Sequence, residues 1–181
     1  MRSAQDVIDF WFVQSSSDDW FGGKAEFDDR LRAQFEETHD AVGKGEAWHW
    51  RQTPEGRLAE IIVLDQFSRQ LHRNSAKAFA YDGMALVLAQ EMVALGLDQN
   101  LETKQLGFAY MPYMHSESEK VHEEAVRLFT QMNDEYMLKF EIEHQDLIKQ
   151  FGRYPKRNQV LGRTSTEAEL AYIEGRGDSF F

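Results

Sequence analysis

Five Lys or Arg residues fall between Lys149 and Arg163 with no Asp or Glu among them, in a chain whose formal net charge is −11. From His144 the segment reads HQDLIKQFGRYPKRNQVLGR. Part of it is helix punctuation. Lys149 suits a helix C-terminus through the macrodipole, Gly152 can end the helix in a left-handed cap, and Pro155 holds Tyr154 extended. Arg153, Arg157, Asn158 and Arg163 are left over. A guanidinium is a planar fork matched to carboxylate or phosphate, so these groups could cradle a small anion or could pair with some of the chain's 31 acidic residues.

Other segments offer groups of the same kind. Phe140, His144, Leu147, Ile148 and Phe151 project onto one helical arc with the imidazole near its middle. A buried neutral His needs partners for both ring nitrogens, which a carbonyl or carboxylate could supply; otherwise it is a ligand contact or a general base. His115, in YMPYMHSESE, precedes an expected helix start and could stand beside an anion there. Along residues 55–73, Leu58, Ile61 and Ile62 define an apolar face, and Asp65, Arg69 and His72 fall on that same face. Charges on an inward stripe are tolerated when paired. Asp65 and Arg69, spaced i, i+4, can form a structural ion pair, or the face borders a polar cavity that offers Arg69 and Arg73 to a ligand.

Glu-x-x-His occurs three times, as Glu36/His39, Glu119/His122 and Glu141/His144, the pattern used in carboxylate-bridged di-iron bundles. At 100° per residue the first two pairs lie off the apolar faces of their helices and point to water, so no metal site is expected. The chain lacks G-x-S-x-G, a Walker loop, G-x-G-x-x-G and H-E-x-x-H, and it has no cysteine. No nucleophile–base arrangement and no cofactor motif can be assigned.

The elements that must position these residues read as all-α, with apolar residues at helical spacing nearly throughout. About eight helices are expected: one opened by Ser3 with Asp6; one carrying Phe27, Leu31, Phe35 and Val42; one over 55–73; one from Ser75 to a Gly96 cap; one over 102–110, stopped near Pro112; one capped by Ser116 with Glu119; one over 135–151; and one from Thr166 with Glu169. The helices at 55–73 and after Ser75 are apolar almost all round, which marks them as central.

The 181 residues fit one domain, 1–181. The absence of cysteine suits a reducing cytoplasm, Asp6 and Asp9 interrupt any signal-peptide core, and the longest aliphatic run, residues 84–89, is far too short to span a bilayer. With 31 acidic against 20 basic residues, neither nucleic acid nor a membrane surface is an expected partner. Self-association stays open.

In order along the chain, FWF, FDDRLRAQF, LDQFSRQLHR, AFAYDGMALVLA, YMPYMHSE, HQDLIKQFGRYPKRNQVLGR and TSTEAELAYI resemble the bacterial family catalogued as domain of unknown function 924. The resemblance implies an all-helical, tetratricopeptide-like stack of antiparallel helices, with no established activity. It places family motif positions on Asp65, Gln66, Arg69, Asp82, His115, Ser116, Glu117, His144, Gly152, Arg153, Arg157, Asn158 and Arg163. Ser68 stands where the family commonly has Pro, which implies that an expected helix distortion is missing, and Lys156 stands where a His is common.

Together these readings lead to a cytoplasmic helical binding module in which Arg69, His115, Glu117, His144, Arg153, Arg157, Asn158 and Arg163 surround a pocket for a small anion or a peptide carboxylate. One alternative is a hydrolase or transferase acting on an anionic substrate with His115 or His144 as general base. The other is a structural or protein-interaction module in which the same groups form a buried ion-pair network.

Overall fold

The computed structural model describes residues 1–176, and every regular element among them is helical, as the periodicity implied. Ser3 opens α1 (Ala4–Ile8) with a reciprocal cap: its N–H donates to Asp6 Oδ2 at 2.8 Å and its Oγ accepts from the Asp6 N–H at 3.2 Å. The helix then widens into a π-helical turn, Asp9–Val13, that buries Phe10 and Trp11. A short α2 (Ser17–Phe21), not expected from the sequence, starts on a second such cap, Ser16 with Asp19. α3 (Ala25–Gly43) buries Phe27, Leu31, Phe35 and Val42.

Thr53 starts α4 (Pro54–Ile62), its Oγ1 accepting from the Gly56 N–H at 3.0 Å. A Cβ on Gly56 would lie 2.0 Å from the Trp50 carbonyl oxygen, so only glycine lets the 3-10 turn Trp48–Gln52 close onto α4. Leu58, Ala59, Ile61 and Ile62 are fully buried, because α4 packs against α1, α6 (Asp82–Ala94) and α7 (Thr103–Met114). A contiguous aromatic cluster fills the space beside it: Phe10 and Phe35 rings lie 4.9 Å apart, and Phe108 meets Trp11 at 5.5 Å and Trp20 at 4.9 Å. Each such side chain contributes about 1.5–3 kcal/mol by burial.

After Ile62 the helix passes through a π-helical turn, Val63–Phe67, into α5 (Ser68–Leu71). The distortion that Ser68 was expected to remove is therefore present without proline. Ser68 Oγ donates to the Leu64 carbonyl at 2.6 Å, a back-bond one turn up the helix that competes with the ladder. Its oxygen then accepts from His39 Nε2 at 2.8 Å, which fixes the proton on that nitrogen. Ser68→Ala removes both bonds and strands a buried N–H, so urea unfolding should show a loss of about 1–3 kcal/mol. An unchanged midpoint would mean that the hydroxyl is incidental to the turn.

Three other expectations need correction. α6 is not central: it buries Ala85, Leu88, Ala89 and Met92 but leaves Met84 and Val87 exposed, and the residues after Ser75 form a separate 3-10 turn, Ala76–Phe79. α7 does not stop before Pro112. The ladder resumes with the His115 N–H on the Met111 carbonyl at 2.9 Å, and burial of Tyr113 and Met114 offsets the hydrogen bond that proline cannot make. His115 is consequently the C-cap of α7. α8 (Glu119–Gln131) is entered through Ser118 rather than Ser116, so His115 does not flank a helix N-terminus.

His39 and His122, expected to face water, are buried at 2% and 0% exposure. A stripe predicts the side that meets one neighbour, whereas α8 packs against both α7 and α9 (Glu135–Phe151), which widens its covered arc to include His122. Gly152 ends α9 with φ 70°, in the left-handed region, and Thr166 with Glu169 opens α10 (Glu167–Arg176). Among the described residues no helix is long and apolar enough to cross a membrane.

Candidate functional site

A cavity of about 600 Å³ lies between the π-turn and α5, the end of α7, α9 and the loop after Gly152. Of the eight residues expected to bind ligand, Arg69, His115, His144 and Arg157 line it; Glu117, Arg153, Asn158 and Arg163 do not.

The π-turn places Asp65 at 1% exposure behind the cavity wall. Its Oδ1 lies 2.7 Å from His115 Nδ1 and 2.9 Å from Arg69 Nη1, and its Oδ2 accepts from Gln66 Nε2 at 2.5 Å. Burial opposes ionisation of Asp65, but Arg69, His115 and the hydrogen bonds outweigh it and hold the carboxyl well below the usual range. For His115 burial dominates, Arg69 reinforces it, and the pKa falls despite Asp65. His115 is therefore neutral near pH 7, with Nδ1–H donating to Asp65 and Nε2 left as an acceptor. Among the described residues nothing bonds to that Nε2. Burial likewise pushes His144 down to about 3, and its Nδ1 donates to the Phe140 carbonyl at 2.7 Å.

Arg69 is held by two carboxylates of its own chain. Beyond Asp65 it forks onto Asp82 through two bonds of 2.9 Å and reaches the Asp65 carbonyl at 2.7 Å. Arg73, at the far end of the same face, is paired with Asp28 and Gln70. Arg157 differs. Its guanidinium is sandwiched between Tyr154, 4.4 Å from the ring centroid, and Phe79, at 4.6 Å, and its one hydrogen bond among the described residues is a 3.3 Å contact with Asp82. Burial, then Arg69, lowers its pKa.

The residues off the cavity hold the loop that carries Arg157. Glu117 receives the Arg163 fork at 2.6 and 2.9 Å and the Tyr154 N–H at 2.8 Å. Arg153 forks onto Glu169 at 2.6 and 2.8 Å and reaches the Thr164 carbonyl, tying the end of α9 to α10. Asn158, 1% exposed, donates to Ser165 Oγ at 3.0 Å. Beneath the loop, the Tyr154 hydroxyl donates to the Met114 carbonyl at 2.5 Å and sits 3.1 Å from His122 Nε2. His122 Nδ1 meets Glu141 Oε1 at 2.7 Å, with both side chains fully buried. Two of the Glu-x-x-His motifs thus cross-pair, one giving its His and the other its Glu. Among the described residues no group of three or more His, Asp or Glu could hold a metal ion.

Phe79 and Tyr154 had no place in the sequence-based site, yet they seat Arg157. Tyr154 reads as a turn residue before proline, and Phe79 stands in a 3-10 turn too short to show a period.

The fold, helical in every regular element among the described residues, defines the class of protein. The family described as bacterial protein of unknown function, DUF924, matches residues 7–177, and the chain belongs to it. A solved structure of a protein of unknown function from Agrobacterium tumefaciens is similar at 34% identity and a TM-score of 0.90, covering 95% of this chain and 97% of that one. No curated protein matches.

Proposed function

We propose that the chain is a binding module whose cavity takes a small anion, or a carboxylate on a small molecule or peptide, at Arg157. One observation carries the reading: Asp82 already accepts two 2.9 Å bonds from Arg69, so the Arg157 fork keeps donors that no described residue uses. A guanidinium packed against two rings has little rotamer freedom left to lose, so an incoming carboxylate meets a preorganised partner. Arg153 and Arg163, both spent on carboxylates of their own chain, take no part. In calorimetric titration with hexanoate, Arg157→Gln should weaken binding roughly 10- to 100-fold, the scale of one charge-assisted hydrogen-bonded pair. Equal affinity in the variant would remove Arg157 from the site.

The 2.7 Å contact between Asp65 and His115 Nδ1 favours a second reading, a hydrolase or transferase acting on an anionic substrate. The carboxylate orients the ring and leaves Nε2 toward the cavity, as a general base requires. With the mono-p-nitrophenyl ester of adipate as probe, which keeps a free carboxylate for Arg157, turnover should then vanish in His115→Asn while hexanoate affinity is kept, and the wild-type rate should rise with pH as His115 loses its proton. A rate unaltered by the substitution would exclude His115 as base.

A further inference from the structure

We infer that the ligand is a monocarboxylate carrying an unbranched aliphatic chain, its head on Arg157 and its tail along the methionine-rich wall. This rests on the anion-binding reading of the cavity and adds what lies behind the head. Size is the first argument. A volume of about 600 Å³ holds about 20 water-sized units at ~30 Å³ each, whereas acetate or inorganic phosphate fills about a quarter of that. Either ion alone would leave most of the space to water against apolar walls.

Charge is the second. Around Arg157 two guanidiniums, Arg69 and Arg157, face two carboxylates, Asp65 and Asp82, and the nearby imidazoles His115 and His144 are neutral. One added negative charge can rest on the unused Arg157 donors. A dianion such as a phosphate monoester would bring a second charge to the same guanidinium fork, at a larger desolvation cost than a carboxylate.

The walls are the third argument. Besides Arg157 the lining includes Met111, Met114, Met137, Phe140 and Leu147. Three thioether side chains of this kind adapt to a flexible chain better than to a rigid ring system.

The test is calorimetry on the full chain with butanoate, hexanoate, octanoate and decanoate, and with octan-1-ol, octyl phosphate and inorganic phosphate. Wild type, Arg157→Gln and the charge-conserving Arg157→Lys are compared after their thermal transitions have been shown to match. Kd should fall about fourfold per added methylene, corresponding to ~0.8 kcal/mol, until the cavity is full. Octanoate should bind at least tenfold more tightly than octan-1-ol in wild type, and the two should converge in Arg157→Gln. Arg157→Lys should lie between. Equal affinity along the series, still dependent on Arg157, would overturn the aliphatic class and leave the anion reading standing. Tighter binding of octyl phosphate than of octanoate would overturn the monoanion class. Octan-1-ol matching octanoate in wild type, or no binding of any anion, would remove both the inference and the reading beneath it.

Discussion

Arg69→Met should cost the fold about 3–5 kcal/mol at pH 7, because it leaves two carboxylates, Asp65 and Asp82, without the guanidinium that both are bonded to. For a chain of this length that is a fall in Tm on the order of 10 °C. The pH dependence separates this from a packing defect. In wild type the Asp65 carboxyl is depressed, so its contribution is complete above the ordinary carboxylate range, near ~4, and is lost as pH falls below it. In the variant burial is no longer outweighed, and Asp65 or its partner His115 binds a proton at higher pH. The deficit should therefore shrink steadily between pH 7 and pH 5, as measured by urea unfolding of both proteins. A deficit that stays constant over that interval would show that lost packing, and not unpaired charge, is responsible.

The same cluster shows which parts of the site the sequence makes legible. Asp65, Arg69 and His144 stand out because they break apolar stripes, and a charge or imidazole on such a stripe must be either paired or lining a cavity. Both outcomes occur within the one cluster: Arg69 is locked on its own carboxylates, and Arg157, one side chain away, is not. Nothing in local spacing separates these cases. The partner of Arg163 is 46 residues distant and that of Arg153 is 16, so the pairing that takes them off the cavity exists only in the fold.

Helix existence was legible for a related reason: the 3.6-residue period survives wherever one face is buried. Boundaries and local geometry were less so. Pro112 is a strong stop signal, overridden because Tyr113 and Met114 lie buried beyond it. The π-turn at Val63–Phe67 depends on Ser68 bonding back to Leu64 and on His39 arriving from α3, a tertiary contact with no sequence trace. The turn carries Gln66 into the cavity wall and Asp65 behind it, against His115.

His122→Leu is expected to be similarly damaging, about 3–5 kcal/mol, and here the proton count gives the reason. The Tyr154 hydroxyl has spent its proton on the Met114 carbonyl, so near His122 Nε2 both Tyr154 Oη and the Ser116 carbonyl, at 3.1 and 2.9 Å, act as acceptors. Nε2 must carry a hydrogen. One further proton then lies between Nδ1 and Glu141 Oε1, and wherever it sits the pair is neutral overall. Burial raises the Glu141 pKa against the pull of His122, which favours the proton on the carboxyl. Glu141→Gln preserves a donor to Nδ1 and should therefore lose no more than about 1 kcal/mol, whereas His122→Leu strands Glu141 and removes the donor to Tyr154. Guanidinium chloride unfolding of the two variants should give that order, and its reversal would mean that the pair is a true ion pair. Because Tyr154 is one of the two rings that seat Arg157, His122→Leu should also weaken hexanoate binding at temperatures where the variant remains folded, and Glu141→Gln should not.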